Sequence, residues 1–363
     1  MSIESDLRKD GITVIGPVPT LTINSLASST ADKLCFAFPE LHLNNRNLFI
    51  ELSRLSMYIA SIPEGIAEAN YFYKNSSVYF REGVDLLSLH PFVVHELIHH
   101  LQSIRDKKNE LLRLGLCEFG EFEIYGMGLN EGAVQLMTAK AMGENTEIVK
   151  YYDLSFPTCS PNFYPLLCNL VAQMAYITGP EVLHTSTFFS TDDFKNRFIE
   201  LCGEKAFYKV SHNLDVLLSI EEKIVKLQNR LLTDVSNNKS RKLSLKVESL
   251  KSELKELFLQ TQNLIFTSYF NSEFAKISTL DEIETYRARL YNYQNYIAIS
   301  EGYYTFHSYY INQMANLDLK HDSIHNNTAL VLVKPNIFSS FMKAIKHLFK
   351  KENSSEVEFD NWK

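Results

Sequence analysis

Apolar residues recur at helical spacing over much of the chain, and the points where the spacing breaks divide it. From Asn45 to Ile62, Leu48, Phe49, Leu52, Leu55 and Ile59 predict one core-packed helix, which Pro63 and Gly65 stop. Ser77 to Arg81 has strand composition. Pro91 opens a further helix through PFVVHELIHHLQSI, because a proline at the first helical position loses no hydrogen bond. LNEGAVQLMTAKAMG predicts another helix, ended by Gly143. Further helices are expected over residues 163–178, 180–187 and 191–202, whereas residues 1–44, with three prolines and no sustained period, predict short strands or loops.

The pattern then changes. Leu217, Ile220, Ile224, Leu227 and Leu231 alternate three and four apart, and Leu243, Val247, Leu250, Leu254, Leu257 and Leu264 resume the series beyond a polar tip. Two antiparallel helices follow from that, and Ile283, Tyr286, Leu290, Tyr293 and Ile297 predict a third, running to about Met314. The fold class is therefore mainly α (α+β), with a small mixed sheet and a long helical hairpin or bundle. Three regions are expected: 1–205 with the chemistry, 206–334 as the helical hairpin, and 335–363 as an amphipathic tail whose segment 335–351 can touch a membrane surface or dock on its own domain. The heptad helices offer a surface for a protein partner, although they can also satisfy one another.

Chemistry enters at His95-Glu96-Leu97-Ile98-His99. Residues four apart lie on one helical face about 6 Å along the axis, so both imidazoles can reach one ion. A catalytic zinc takes three protein ligands and leaves a place for water, whose proton Glu96, beside the first histidine, can remove. The alternative is a pair of core histidines satisfied by hydrogen bonds. With 11 His and 43 acidic residues in 363, the motif arises by chance in roughly 0.04 chains of this composition. The third ligand must come from elsewhere. Glu131, 131 − 99 = 32 residues on, opens an apolar helix and is preferred over Glu118, Glu121 and Glu123, which lie in an irregular stretch.

HELIHHLQ followed by GLNEGAVQL resembles the gluzincin group of zinc metallopeptidases over roughly residues 75–143. The resemblance implies a zincin-like catalytic region, one Zn2+ held by His95, His99 and Glu131, Glu96 as general base, Ser77–Arg81 as the sheet edge that binds extended substrate, and a peptide or protein as substrate. Many gluzincins carry an aspartate four residues after the glutamate to orient a ligand histidine. This chain has Gln135 there, whose side-chain oxygen can accept the same hydrogen bond more weakly. Tyr152, Tyr164, His184, Tyr303, Tyr304 and His307 are candidate donors to an oxyanion, and His100 points away from the ligand face. The reading of a different class is a catalytically silent zinc-binding scaffold whose helical arm binds a protein.

Composition narrows the rest. A net charge of −7 argues against nucleic acid as the main partner, since phosphate binding needs clustered Lys and Arg. Five scattered cysteines suggest reduced thiols, and the amino terminus has no secretory pattern, so the cytoplasm is the expected location. The most apolar segment, 164–177, is too short for a transmembrane span.

Overall fold

The structure is a computed structural model that describes residues 3–9, 11–63, 67–121, 123–233, 237–297 and 302–326. It begins with α1 (Ile3–Lys9), β1 (Thr13–Pro17), α2 (Thr20–Ala37) and α3 (Asn45–Ser53). Then come β2 (Ser56–Ser61), β3 (Ala69–Phe72), β4 (Ser77–Arg81) and α4 (Pro91–Leu101). Two small hairpins, β5 (Ser103–Arg105) with β6 (Leu111–Leu114) and β7 (Glu118–Phe119) with β8 (Ile124–Tyr125), lead to α5 (Met127–Met142). A third hairpin, β9 (Glu147–Tyr151) with β10 (Leu154–Thr158), precedes α6 (Pro165–Thr178), α7 (Pro180–Phe189) and α8 (Asp193–Cys202). The last described elements are α9 (Glu204–Thr233), α10 (Asn237–Lys276), α11 (Leu280–Ile297) and α12 (Gly302–His325). It is mainly helical with a small mixed sheet, as the pattern predicts.

Three expectations about the helices need correction. The span 1–44 holds α2, an 18-residue helix, because its buried face is built largely from small residues (Ala27, Thr30 and Ala31 beside Leu26 and Leu34), which hide the apolar period. The expected helix 45–62 is two elements. Asn44 caps α3 by accepting from Asn47 N–H, and β2 then buries Met57 and Ala60, so Leu55 and Ile59 matched the helical spacing only by accident. The third long helix is likewise two, α11 and α12, which pack together and bury Phe306 and Tyr309 against Phe266 and Phe270. The segment 335–351 and the tail 335–363 lie outside the described residues.

The main sheet has the order β1-β2-β4-β3, with β2 and β4 parallel and the other pairs antiparallel. Ser77–Arg81 is thus an interior strand, covered on both sides, and the edge nearest α4 is β3. The error has a physical source: a strand flanked by two neighbours reads as a strong continuous apolar run, while a four-residue edge strand leaves little signal. Arg81 N–H donates to Glu68 O at 2.8 Å, so by antiparallel alternation Ala69 and Tyr71 turn their backbone groups outward from the sheet. Helix α4 buries Val93 and Leu97 under this sheet with Val78 and Phe80. On its other side, Val94 and Ile98 pack with Val134 and Met137 of α5. The largest core joins α5 and α6 to α9 and α10, with Leu129, Leu170, Leu214 and Phe258 all fully or nearly fully buried. Among the described residues no single helix is long and apolar enough to cross a membrane.

Candidate metal centre

Two helices build the site. On α4 the i, i+4 spacing brings His95 Nε2 and His99 Nε2 to 3.0 Å, and both residues are 6% exposed. From α5, Glu131 places Oε2 at 3.1 Å from His95 Nε2 and Oε1 at 3.4 Å from His99 Nε2, with its side chain 12% exposed. In a tetrahedral site with bonds of about 2.05 Å, neighbouring ligand atoms stand about 3.3 Å apart. The observed spacings fit that edge. The buried His95, His99 and Glu131 group can hold a metal ion.

The hydrogen bonds behind the ligands set which ring nitrogen is free. His95 Nδ1 donates to Gln135 Oε1 at 2.8 Å, which leaves Nε2 with a lone pair directed at the other ligands. Gln135 is held in turn, since its amide donates to Ser160 Oγ at 2.9 Å and Ser160 Oγ donates to Phe163 O at 2.6 Å. On the other histidine, the Gln102 amide lies 2.8 Å from His99 Nδ1, and its Oε1 is buried without a partner among the described residues. A half-turn of that amide exchanges its oxygen and nitrogen. The oxygen then accepts from Nδ1–H, and both imidazoles adopt the same tautomer. With both rings in that tautomer, two imidazole lone pairs and a carboxylate converge in a buried site, an arrangement that suits a cation.

Without a metal a proton partly serves. Burial pushes the His95 imidazole down, but the Glu131 carboxylate, with smaller help from Glu96 and Gln135, outweighs it and raises the net pKa. Burial pushes Glu131 up, yet His99 and His95 more than reverse that and hold it well below the usual carboxylate range. The cluster is thus polarised for charge by its own residues.

Close helix approach positions Glu131. A Cβ on Gly128 would stand 2.3 Å from Leu214 O on α9, and one on Gly132 would stand 2.8 Å from Val171 Cγ2 on α6. Both glycines let neighbouring helices close on the turn that carries the ligand. Asp215 on α9 caps the same turn, accepting from Gly126 N–H and Gly128 N–H at 2.8 Å each. Asn130, fully buried, accepts from Leu116 N–H at 3.1 Å and ties the preceding loop to α5.

Glu96 is one residue beyond His95, and its Oε2 accepts from Tyr71 N–H of the edge strand at 2.6 Å. Tyr164 stands with its ring 6.0 Å from that of His95. Burial, then the carboxylates of Glu131 and Glu96, keep its phenol far above the usual value, so it remains protonated and able to donate. The other donor candidates are elsewhere. His184 is bound to Glu40 at 2.8 Å, Tyr152 packs on Tyr151 with ring centroids 4.2 Å apart, and His307 is exposed on α12. The side chains of Tyr303 and Tyr304 lie outside the described residues. Among the rejected ligands, Glu118 is paired with Lys195 at 2.6 Å, and Glu121 and Glu123 are exposed. His100 sits away from the ligands, where burial, then Arg105, lowers it to about 4.

Sequence reasoning missed Gln102, Ser160 and Asp215. Only Gln102 carried a signal, being three residues beyond His99 on the same helical face. Comparison with protein-family models, curated proteins and solved structures finds no match to this chain.

Proposed function

We propose that this chain is a zinc-dependent metallopeptidase of the gluzincin type, cleaving peptide bonds with Glu96 as general base. The observation that carries this reading is the convergence of His95 Nε2, His99 Nε2 and the Glu131 carboxylate beside a further acid, Glu96. A set of two imidazoles and one carboxylate suits zinc, which takes three protein ligands in a catalytic site and completes its shell with water. When bound, the ion would acidify a water and polarise the scissile carbonyl.

The chain's own residues supply the remaining steps. Tyr71 N–H fixes one oxygen of Glu96 and leaves the other to take a proton from the attacking water and pass it to the departing amine. Tyr164, held protonated, donates to the oxygen that gains charge. Ala69 and the Tyr71 carbonyl, turned outward from the sheet, offer backbone partners to an extended peptide.

The Glu96–Tyr71 contact also favours a second reading. A glutamate that tethers the edge strand has a structural reason to be there, as in a zinc-binding scaffold without catalysis whose helices bind a protein partner. Glu96→Gln separates the two. In the peptidase it keeps about one zinc per chain and abolishes hydrolysis of a peptide library, while Glu131→Ala loses the metal. Hydrolysis retained by Glu96→Gln excludes the proposed base; a wild-type protein that binds zinc and cleaves nothing supports the scaffold.

A further inference from the structure

The edge strand and the histidine helix run side by side beyond their meeting at Tyr71 and Glu96. Glu68 lies three residues before Tyr71, about 10 Å of extended chain, and His90 lies six before Glu96, about 9 Å of helix. The two lengths agree, and Glu68 and His90 line the same open cleft of about 430 Å³. The cleft therefore lies where the contact between β3 and α4 ends, about three extended residues from Glu96.

Its chemistry is specific. Arg81 is engaged by Glu68 at 3.1 Å, which leaves Glu82 and Asp85 as the carboxylates without a guanidinium partner in the cleft. Asp85 accepts from Leu87 N–H and from the Ser88 hydroxyl, and these bonds hold it below its ordinary pKa, so it is ionised at neutral pH. The wall is aromatic: His90 and Phe92 are parallel, with ring centroids 5.2 Å apart. Carboxylates beside an aromatic face suit a cation on an alkyl stem, which can lay its methylenes on the rings and its charge on the acids.

We propose that this cleft is a specificity subsite for a lysine or arginine side chain of a peptide laid along β3. The assignment of that residue to a position about three from the cleaved bond rests on the peptidase reading; the recognition of a basic side chain does not. Substrates would thus be peptides with a basic residue at one fixed distance from the scissile bond. Glu82 is exposed and is the residue to change; Asp85 holds its own turn.

The test uses binding, so that turnover is not needed. Zinc-loaded Glu96→Gln protein is titrated with fluorescent peptides that differ only by Lys or Gln at successive positions. One position is expected to favour Lys on the order of tenfold, and Glu82→Lys added to Glu96→Gln should erase or invert the ratio. Equal affinities at every position, or a Lys preference that survives Glu82→Lys in a protein with unchanged circular dichroism, overturns the subsite. Wild-type turnover of the same peptides is scored separately. A Lys preference in binding without any turnover sinks the hydrolase and keeps the subsite; turnover indifferent to Lys at every position sinks the subsite and keeps the hydrolase.

Discussion

Gln135 Oε1 accepts the Nδ1 proton of His95 at 2.8 Å, and so decides which of that ring's nitrogens faces Glu131. A neutral amide does here what a carboxylate would do with more force. Gln135→Leu should weaken metal binding roughly 10- to 100-fold, and Gln135→Glu should restore or exceed the original affinity. Competition with a chromophoric chelator measures both, and an unaltered affinity in Gln135→Leu would show that the ring is held by other contacts.

A metal ion at this site would compete with protons for the same lone pairs, which fixes the direction of a pH effect. Burial lowers His95 but Glu131 raises it further, so in the metal-free protein its contribution is complete at low pH and lost as pH rises through the folded pKa. Burial raises Glu131, the two histidines lower it further, and its contribution is lost as pH falls through and below the ordinary carboxylate range. Metal binding releases the proton, so the difference in melting temperature between metal-loaded and metal-free protein should grow from pH 6 to pH 8. A difference that is flat or shrinks over that range contradicts ligation by these residues.

Glu221 of α9 is 6% exposed, and burial lifts its carboxyl to about 7 against the opposing effect of Tyr151. A carboxyl whose folded pKa exceeds its unfolded value costs stability as pH rises from about 4.3 towards 7. Glu221→Gln should therefore stabilise the protein at pH 8, by on the order of 2 kcal/mol, and much less at pH 5. Urea denaturation at the two pH values tests this, with equal effects counting against it.

The Gly128 turn tolerates no side chain, because the nearest atoms to an added Cβ are backbone atoms of Leu214. Gly128→Ala should cost about 1–3 kcal/mol and weaken metal binding as Glu131 is pushed off its position. Paired denaturation and metal titration measure the two effects, and loss of stability with full metal affinity would uncouple Glu131 from the α5–α9 contact.

What the sequence disclosed follows from range. His95, His99, Glu131 and Gln135 were legible because helical periodicity alone puts each pair, 95 with 99 and 131 with 135, on one face. Asp215 was not, since a carboxylate inside a heptad helix reads as solvated until α9 is laid against the start of α5. Ser160 was hidden for the same reason, and α2 because alanine and threonine carry its buried stripe. The edge strand was misplaced onto Ser77–Arg81 because four residues of β3 give too short a pattern to outweigh its stronger neighbour.

The cap that Asp215 supplies reaches across 89 residues of sequence to Gly126. A fragment ending near residue 205 would retain every ligand yet leave two amide protons without acceptors and expose the flank of the turn bearing Glu131. The paired helices after that point act as a splint for the histidine and glutamate centre. If His95, His99 and Glu131 hold a metal, clipping the chain there should abolish that binding although none of the three has been removed.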